Sequence, residues 1–180
     1  MDAFEQLVAE IFLAEGYWVE TSVKVVLTKE EKQLIGRHSA PRWEIDVVAY
    51  KAATDVLVAV ECKSFLDSTG VQWAELQDGH PSTRYKLFRE PLLRETVLER
   101  LRLQMLAAGR CRHAAKVELA MAVGNVKRGD DTKLRDHFHA NGWLYYGPEW
   151  LRARLTDRAG ESYDNKISSV VAKLLLRMPL

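Results

Sequence analysis

Leu57-Val58-Ala59-Val60-Glu61-Cys62-Lys63 is an apolar run that ends by placing an acid and a base two residues apart. Its Val and Leu content, without helical spacing, predicts a strand buried on both faces and therefore central in a sheet. Side chains alternate along a strand, so Glu61 and Lys63 share one face while Val60 and Cys62 take the other. Burying charge is costly unless the charge is paired or binds a metal, so packing alone gives no reason for these two residues. Upstream, Trp43-Glu44-Ile45-Asp46-Val47-Val48-Ala49-Tyr50 predicts a second strand, and the short link 51–55 makes the two a hairpin. That hairpin brings Asp46 near the level of Glu61 and Lys63. Hard cations such as Mg²⁺ are held by one or two carboxylates, keep several waters and leave room for phosphate oxygens. Two carboxylates beside one lysine meet that need.

These residues resemble the signature of the PD-(D/E)xK nuclease superfamily, and within it the Mrr-like restriction endonucleases and archaeal-type Holliday junction resolvases. The likeness is carried by Phe4-Glu5 with Gly16-Tyr17 beyond them, by Glu44-Ile45-Asp46 and by Val60-Glu61-Cys62-Lys63. It covers residues 1–63 well and residues 92–146 only as an order of elements, and Ile45 stands where the motif's name has Pro. The resemblance implies an α/β, restriction-endonuclease-like core: a mixed central sheet of about five strands flanked by helices. It also implies one domain over residues 1–180, with a divergent insertion at 64–91 and C-terminal helices at 148–178. The implied activity is metal-dependent endonucleolytic cleavage of DNA, with Mg²⁺ as cofactor and Mn²⁺ able to substitute. Asp46, Glu61 and the Cys62 carbonyl are the implied metal ligands, and Glu5, Asp46, Glu61 and Lys63 the implied catalytic residues. A blander reading stands beside this one. Glu-x-Lys is a weak pattern in a protein where charged residues are common, and Glu30-Glu31-Lys32 repeats it in a polar stretch expected to be a loop. The alternative is an ion pair at a strand end, in a nuclease-fold module that binds DNA or protein without catalysis.

Length and composition narrow the class. The chain has 180 residues and 47% hydrophobic content, enough for one domain with a proper core. No apolar run approaches the length of a membrane span, and the N-terminus lacks a signal peptide's basic start, so a soluble cytoplasmic protein is expected. Cys62 and Cys111 are too few for a disulfide framework, and Cys62 is expected to face the core. Residues 1–80 carry 7 Lys or Arg against 14 Asp or Glu, residues 81–113 carry 8 against 3 and residues 114–180 carry 11 against 8. Acids therefore gather near the expected metal and bases in the second half, where phosphate contacts are expected. Charge runs are also commonly solvated faces. Neither a G-x-x-x-x-G-K phosphate loop nor a G-x-S-x-G elbow is present, which disfavours P-loop nucleotide hydrolysis and that route to acyl transfer.

Phe4, Leu7, Val8, Ile11 and Phe12 repeat at helical spacing over residues 2–15, with Gly16 beyond the helix end. Glu5 falls on the border of that apolar stripe and Glu10 on the far side, so Glu5 is the helix carboxylate able to reach the sheet. A rim carboxylate favouring the helix dipole is the equal alternative for Glu5. Residues 17–27 predict a strand and 28–42 a polar connection, where Arg37 or His38 is a candidate phosphate contact. Within residues 64–90, Trp73–Gln77 predict a short helix, and Arg84-Tyr85-Lys86-Leu87-Phe88-Arg89 interleaves bases with aromatics. Such a stretch suits nucleic-acid contacts through Arg84 and Lys86, or equally a loop that packs its rings and solvates its charges. A long helix follows from Pro91, with Gln104 as an accessory DNA-contact candidate. Lys116–Val123 predicts another apolar strand, Asp130 or Asp131 caps the next helix, residues 142–146 form a last strand, and a helix runs from Pro148 to Leu155. Cys111, His113, His137 and His139 lack zinc spacing, because His137 and His139 diverge on a helix. Ile167, Val170, Val171, Leu174, Leu175 and Met178 keep helical spacing to the C-terminus. Packing on the same domain and a homodimer seam are the two readings of that stripe.

Overall fold

Asp2 begins the first helix, α1 (Ala3–Ala14), through a capping box: its carboxylate accepts from the Glu5 N–H at 2.8 Å and the Glu5 carboxylate accepts from the Asp2 N–H at 3.2 Å. The computed structural model describes residues 2–37, 43–160, 162 and 165–177, with the side chains of Ile167 and Arg177 excepted. After α1 come β1 (Trp18–Val25), α2 (Lys29–Leu34), β2 (Trp43–Lys51) and β3 (Val56–Lys63). A 3-10 turn at Trp73–Leu76, α3 (Lys86–Arg89), α4 (Pro91–Ala107) and β4 (Lys116–Val123) follow. The chain continues through α5 (Asp131–Ala140), β5 (Leu144–Tyr146), α6 (Pro148–Gly160) and α7 (Ile167–Arg177).

The strands form one mixed sheet in the order β1-β2-β3-β4-β5, antiparallel across the first two pairings and parallel across the last two. The fold is thus α/β with a five-stranded sheet flanked by helices, and the Glu61 strand is at its centre, as its unbroken apolar run predicts. Both faces are covered. On one, Phe4, Val8, Ile11 and Phe12 of α1 pack on Val58, Val60 and Cys62. On the other, Leu93, Val97 and Leu101 of α4 and Leu134 and Phe138 of α5 pack with Leu57 and Ala59. Completely burying one such aliphatic side chain contributes about 1.5–3 kcal/mol, so these two layers dominate the stability.

Asp46 sits at a break in this regular pattern. The β1–β2 ladder keeps its register on either side of Asp46, but Asp46 and Ser22 do not pair, and Ser22 has φ +53°. The β2–β3 ladder ends one residue short of Asp46, at Val47 opposite Val60. Ile45 and Val48 consequently face the same core although strict alternation would separate them. Bulge-like interruptions of this kind re-aim side chains and favour functional sites. Here the chain spreads β2 away from β3 at the level of Glu61.

Several elements depart from the sequence-based expectations. The stretch expected to be a polar loop contains α2, opened by a second capping box in which Thr28 and Glu31 satisfy each other's N–H groups. The Glu30-Glu31-Lys32 repeat therefore lies on a helix, where Glu31 takes a bidentate contact from Arg100 at 2.6–3.0 Å. Asp130 does not cap α5 with its side chain; it accepts from the Trp73 N–H at 3.1 Å and from Lys133 at 3.2 Å, tying the 3-10 turn to α5. The α6 helix runs past Leu155 to Gly160. Among the described residues, no helix is long and apolar enough to cross a membrane.

Candidate active site

Glu61 and Lys63 emerge from the end of β3 on the α4-facing side, with Asp46 reaching them from the point where β2 turns away. The Lys63 ammonium lies 3.4 Å from Glu61 Oε2 and 3.8 Å from Asp46 Oδ2, so one cation bridges both carboxylates. The second Asp46 contact is to the backbone: its Oδ2 accepts from the Cys62 N–H at 2.7 Å. Lys63's carbonyl accepts from the Gly124 N–H on the β4 side at 2.9 Å. Alternate residues of a strand address opposite neighbours, so Cys62's backbone groups face β2, and its carbonyl opens toward the gap that holds Asp46. The Cys62 thiol is directed into the α1 core, as its alternation predicts, and burial pushes its pKa well up.

Burial is the first cause of the electrostatics here. It pushes the Glu61 carboxyl up to about 7, with Asp46 and Glu5 adding to the rise and Lys63 opposing it. Burial alone would lower the Lys63 pKa, yet the charges of Glu61 and Asp46 outweigh it and the net shift is upward, so Lys63 is held as an ammonium. Glu5 is raised by burial first, and the Asp46 charge adds to this against the lowering contact with the Asp2 backbone. The four carboxylate and ammonium groups named from the sequence therefore share one electrostatic neighbourhood. Glu5 stands at its margin, with one oxygen engaged in the α1 capping box.

Gly124 allows α1 to approach this closely. A Cβ there would lie 2.6 Å from the Ser64 carbonyl oxygen and 3.2 Å from the Phe4 ring, so any side chain would push apart the chain after Lys63 and the start of α1. Asn125, the next residue, donates to the Phe65 and Ser68 carbonyls at 3.1 and 2.8 Å and fixes the turn that follows the site. Neither residue is signalled by a motif; only the topology brings them to Lys63.

A cleft of about 380 Å³ opens from Glu61 and Lys63, walled by Trp43, Phe65 and the segment Thr83–Lys86. Arg84 and Lys86 thus come to the site. Arg84 lies over the Phe65 ring at 5.7 Å, pairs with Glu75 at 3.7 Å and is otherwise exposed. The remaining part of that segment follows the packing alternative: Tyr85, Leu87 and Phe88 are buried, and Phe88 joins a ring cluster with Phe138 and Trp143. Arg37 borders the cleft indirectly, stacked over Trp43 at 5.7 Å and paired with Glu90 at 2.6 Å. His38 lies outside the described residues. Gln104 is elsewhere, and its amide is committed to the backbone at the end of β1, accepting from the Val26 N–H at 2.6 Å and donating to the Lys24 carbonyl at 3.1 Å. It fastens α4 to β1 and has no geometry for touching DNA at this cleft.

The chemistry of the donor set fits a hard cation: two crowded carboxylates, one of them with its pKa raised by burial, and a carbonyl facing the same gap. No three His, Cys, Asp or Glu side chains converge as a metal-holding group among the described residues. The fit is therefore to an ion that keeps most of its waters. A scan against protein-family models, curated proteins and solved structures gives no significant match to this chain, so the likeness to the nuclease signature rests on these residues alone.

Proposed function

We propose that this chain is a metal-dependent endonuclease that hydrolyses DNA phosphodiester bonds. The observation that carries the reading is the convergence of Asp46 and Glu61 on the Lys63 ammonium at the mouth of a cleft with basic residues in its wall. Asp46, Glu61 and the Cys62 carbonyl would hold Mg²⁺ or Mn²⁺, which when bound lowers the pKa of a water and neutralises charge on phosphate. Lys63, kept protonated by its two carboxylates, orients the attacking water and stabilises the charge that develops on the phosphoryl oxygens. Asp46 holds the Cys62 backbone in register and so fixes the direction of that carbonyl. Glu5 positions a water at the margin of the site, and Arg84 and Lys86 contact the substrate backbone. Incubation of the protein with supercoiled, linear, single-stranded and branched DNA, with Mg²⁺ or Mn²⁺ and with EDTA, tests the reading. Cleavage that EDTA stops is expected; intact DNA in every metal removes it.

A second reading is a nuclease-fold module that binds DNA or a protein without cutting. It is favoured by one feature, the self-contained pairing of Lys63 with both carboxylates, which offsets part of their charge without a metal. Under either reading we propose a homodimer through α7. That helix turns its polar side inward, with Arg158 of α6 donating to Ser169 at 2.8 Å and Lys173 to the Ala159 carbonyl at 2.9 Å. Val171, Leu174, Leu175 and Leu176 face out, between 47% and 66% exposed, while Met178 lies outside the described residues. Light scattering reads this directly, and a monomer at all concentrations removes the seam.

A further inference from the structure

The cleft at Glu61 and Lys63 continues past its own wall. Thr83, Arg84 and Lys86 also line a second, polar cavity of about 300 Å³, closed on its other sides by Ser82, Arg89 and the acids Asp78 and Glu90. Several arginines elsewhere are matched by acids, as in Arg100 with Glu31, Arg102 with Glu99, Arg110 with Glu20 and Arg135 with Asp131. Here Glu90 is taken by Arg37, and among the described residues neither Lys86 nor Arg89 has a carboxylate at ion-pair distance. Arg89 is fixed nonetheless, because its two terminal nitrogens donate to the Ser82 and His80 carbonyls.

Two buried donors in the same short wall also lack partners among the described residues. They are Arg89 Nε and the hydroxyl of Tyr85, a residue with 6% exposure. Buried polar atoms are satisfied in the great majority of cases, and orphans call for an explanation. Backbone strain coincides with them: Tyr85 at φ +58° and Phe65 at φ +43° are non-glycine residues in the left-handed region, and both line the first cleft. Such strain concentrates at ligand clamps. Two uncompensated cations, two unsatisfied donors and one strained residue, Tyr85, thus fall within residues 82–89, the segment that lines both the first cleft and this cavity.

We infer that the cavity bounded by Ser82, Thr83, Lys86 and Arg89 is a second phosphate subsite, holding the phosphodiester next along the strand from the one at Glu61 and Lys63. Lys86 and Arg89 supply the charge and the Ser82 and Thr83 hydroxyls the hydrogen bonds. The inference rests on the nuclease reading, from which the strand takes its path. Short segments with bases and hydroxyls at a wall bind backbone phosphates in a sequence-independent way.

The test uses the full chain in EDTA, so that binding is measured without cleavage. Affinities are compared for a dinucleoside monophosphate, which fills one subsite, a trinucleotide, which fills two, and inorganic phosphate. The second phosphate is expected to tighten binding of the parent about 10-fold, as one charge-assisted contact commonly does. That gain should vanish in Lys86→Met and shrink in Thr83→Val, with thermal midpoints unchanged. A gain that persists in both variants overturns the subsite while leaving the nuclease reading intact. Equal affinity of the parent for the two oligonucleotides, with inorganic phosphate protecting against heat, would mean a free-anion pocket and also overturns it. A parent that binds no DNA of any length overturns this inference and the nuclease reading together.

Discussion

Lys63 is the residue on which catalysis and plain binding differ most. Its ammonium spans two carboxylates and is itself about a quarter exposed, so the pair lies between the surface and buried extremes. Breaking a fully buried pair costs about 3–5 kcal/mol, and an exposed one about 0–1 kcal/mol. Lys63→Met keeps the apolar stem and should cost an intermediate amount, about 1–3 kcal/mol, while lowering the cleavage rate by about 10²–10⁴. Asp46→Asn and Glu61→Gln should abolish metal-dependent cleavage with the fold retained. Parental cleavage in any of the three variants would refute the assignment, and circular dichroism with thermal melts on the same preparations separates folding from chemistry. Glu61 gives a pH test. Its folded pKa of about 7 lies above the ordinary 4.5, so its contribution to stability is complete below about 4.5 and is lost as pH rises through about 7. In EDTA, the parent's melting temperature should therefore fall between pH 5 and pH 8 relative to Glu61→Gln. Mg²⁺ should recover the loss at pH 8 and do little at pH 5, where it competes with a proton. Equal Mg²⁺ shifts at the two pH values would count against Glu61 as a ligand.

At the scale of elements, α2 is held to the domain by Glu31 and Arg100. Burial raises the Glu31 pKa, but the bonds from Arg100 and Thr28 outweigh it and the net shift is downward. The stability it supplies is present above about 4.5 and lost as pH falls below that value. Bidentate, charge-assisted bonds at this depth contribute about 1.5–3 kcal/mol. Arg100→Ala should cost roughly that at pH 7 and much less at pH 3, and equal losses at both would refute the assignment. The Thr28-x-x-Glu31 pattern carries a capping-box signal, but the polar composition around it reads as a loop. The Glu61 strand, its hairpin and α1 were legible because their apolar spacing decides which face is buried. Glu61 and Lys63 share a face for the same reason, since strand alternation is local, and the hairpin brings Asp46 to their level, but the interruption of both ladders at Asp46 was not legible. What local patterns do not carry is partner choice. Gln104 looked free on a helix face until β1 supplied two backbone groups for its amide. Asp130 had the residue type of a cap, yet the Trp73 N–H claimed it. The inward polar face of α7 likewise depends on Arg158 and Ala159 of α6 and on Glu10 of α1, partners that helical spacing within α7 does not reveal.

Across the whole molecule, the charge asymmetry carries less binding capacity than residue counts imply. The basic segment 81–113 holds 8 Lys or Arg against 3 acids. Arg100, Arg102 and Arg110 are matched by Glu31, Glu99 and Glu20, Arg94 donates to the Leu87 carbonyl while lying 4.9 Å over Trp143, and Arg112 donates to the Ala52 carbonyl. Lys86, Arg89 and Arg84, whose 3.7 Å contact with Glu75 leaves its side chain 63% exposed, are what remains beside the cleft. Each phosphate neutralised steepens the dependence of log affinity on log salt by about 0.9 for duplex and 0.7 for single strands. DNA binding in EDTA should therefore weaken with salt at a slope no steeper than about −3, counting these three cations at up to one phosphate each. Arg84→Ala combined with Lys86→Ala should flatten that slope by about one unit for each phosphate left without its cation. Arg102→Ala, which removes a cation already spent on Glu99 and the His113 carbonyl, should leave it unchanged. A parental slope near −8, or one that Arg102→Ala flattens as much as the cleft pair does, would move the DNA-binding surface away from the cleft and onto the α4 face.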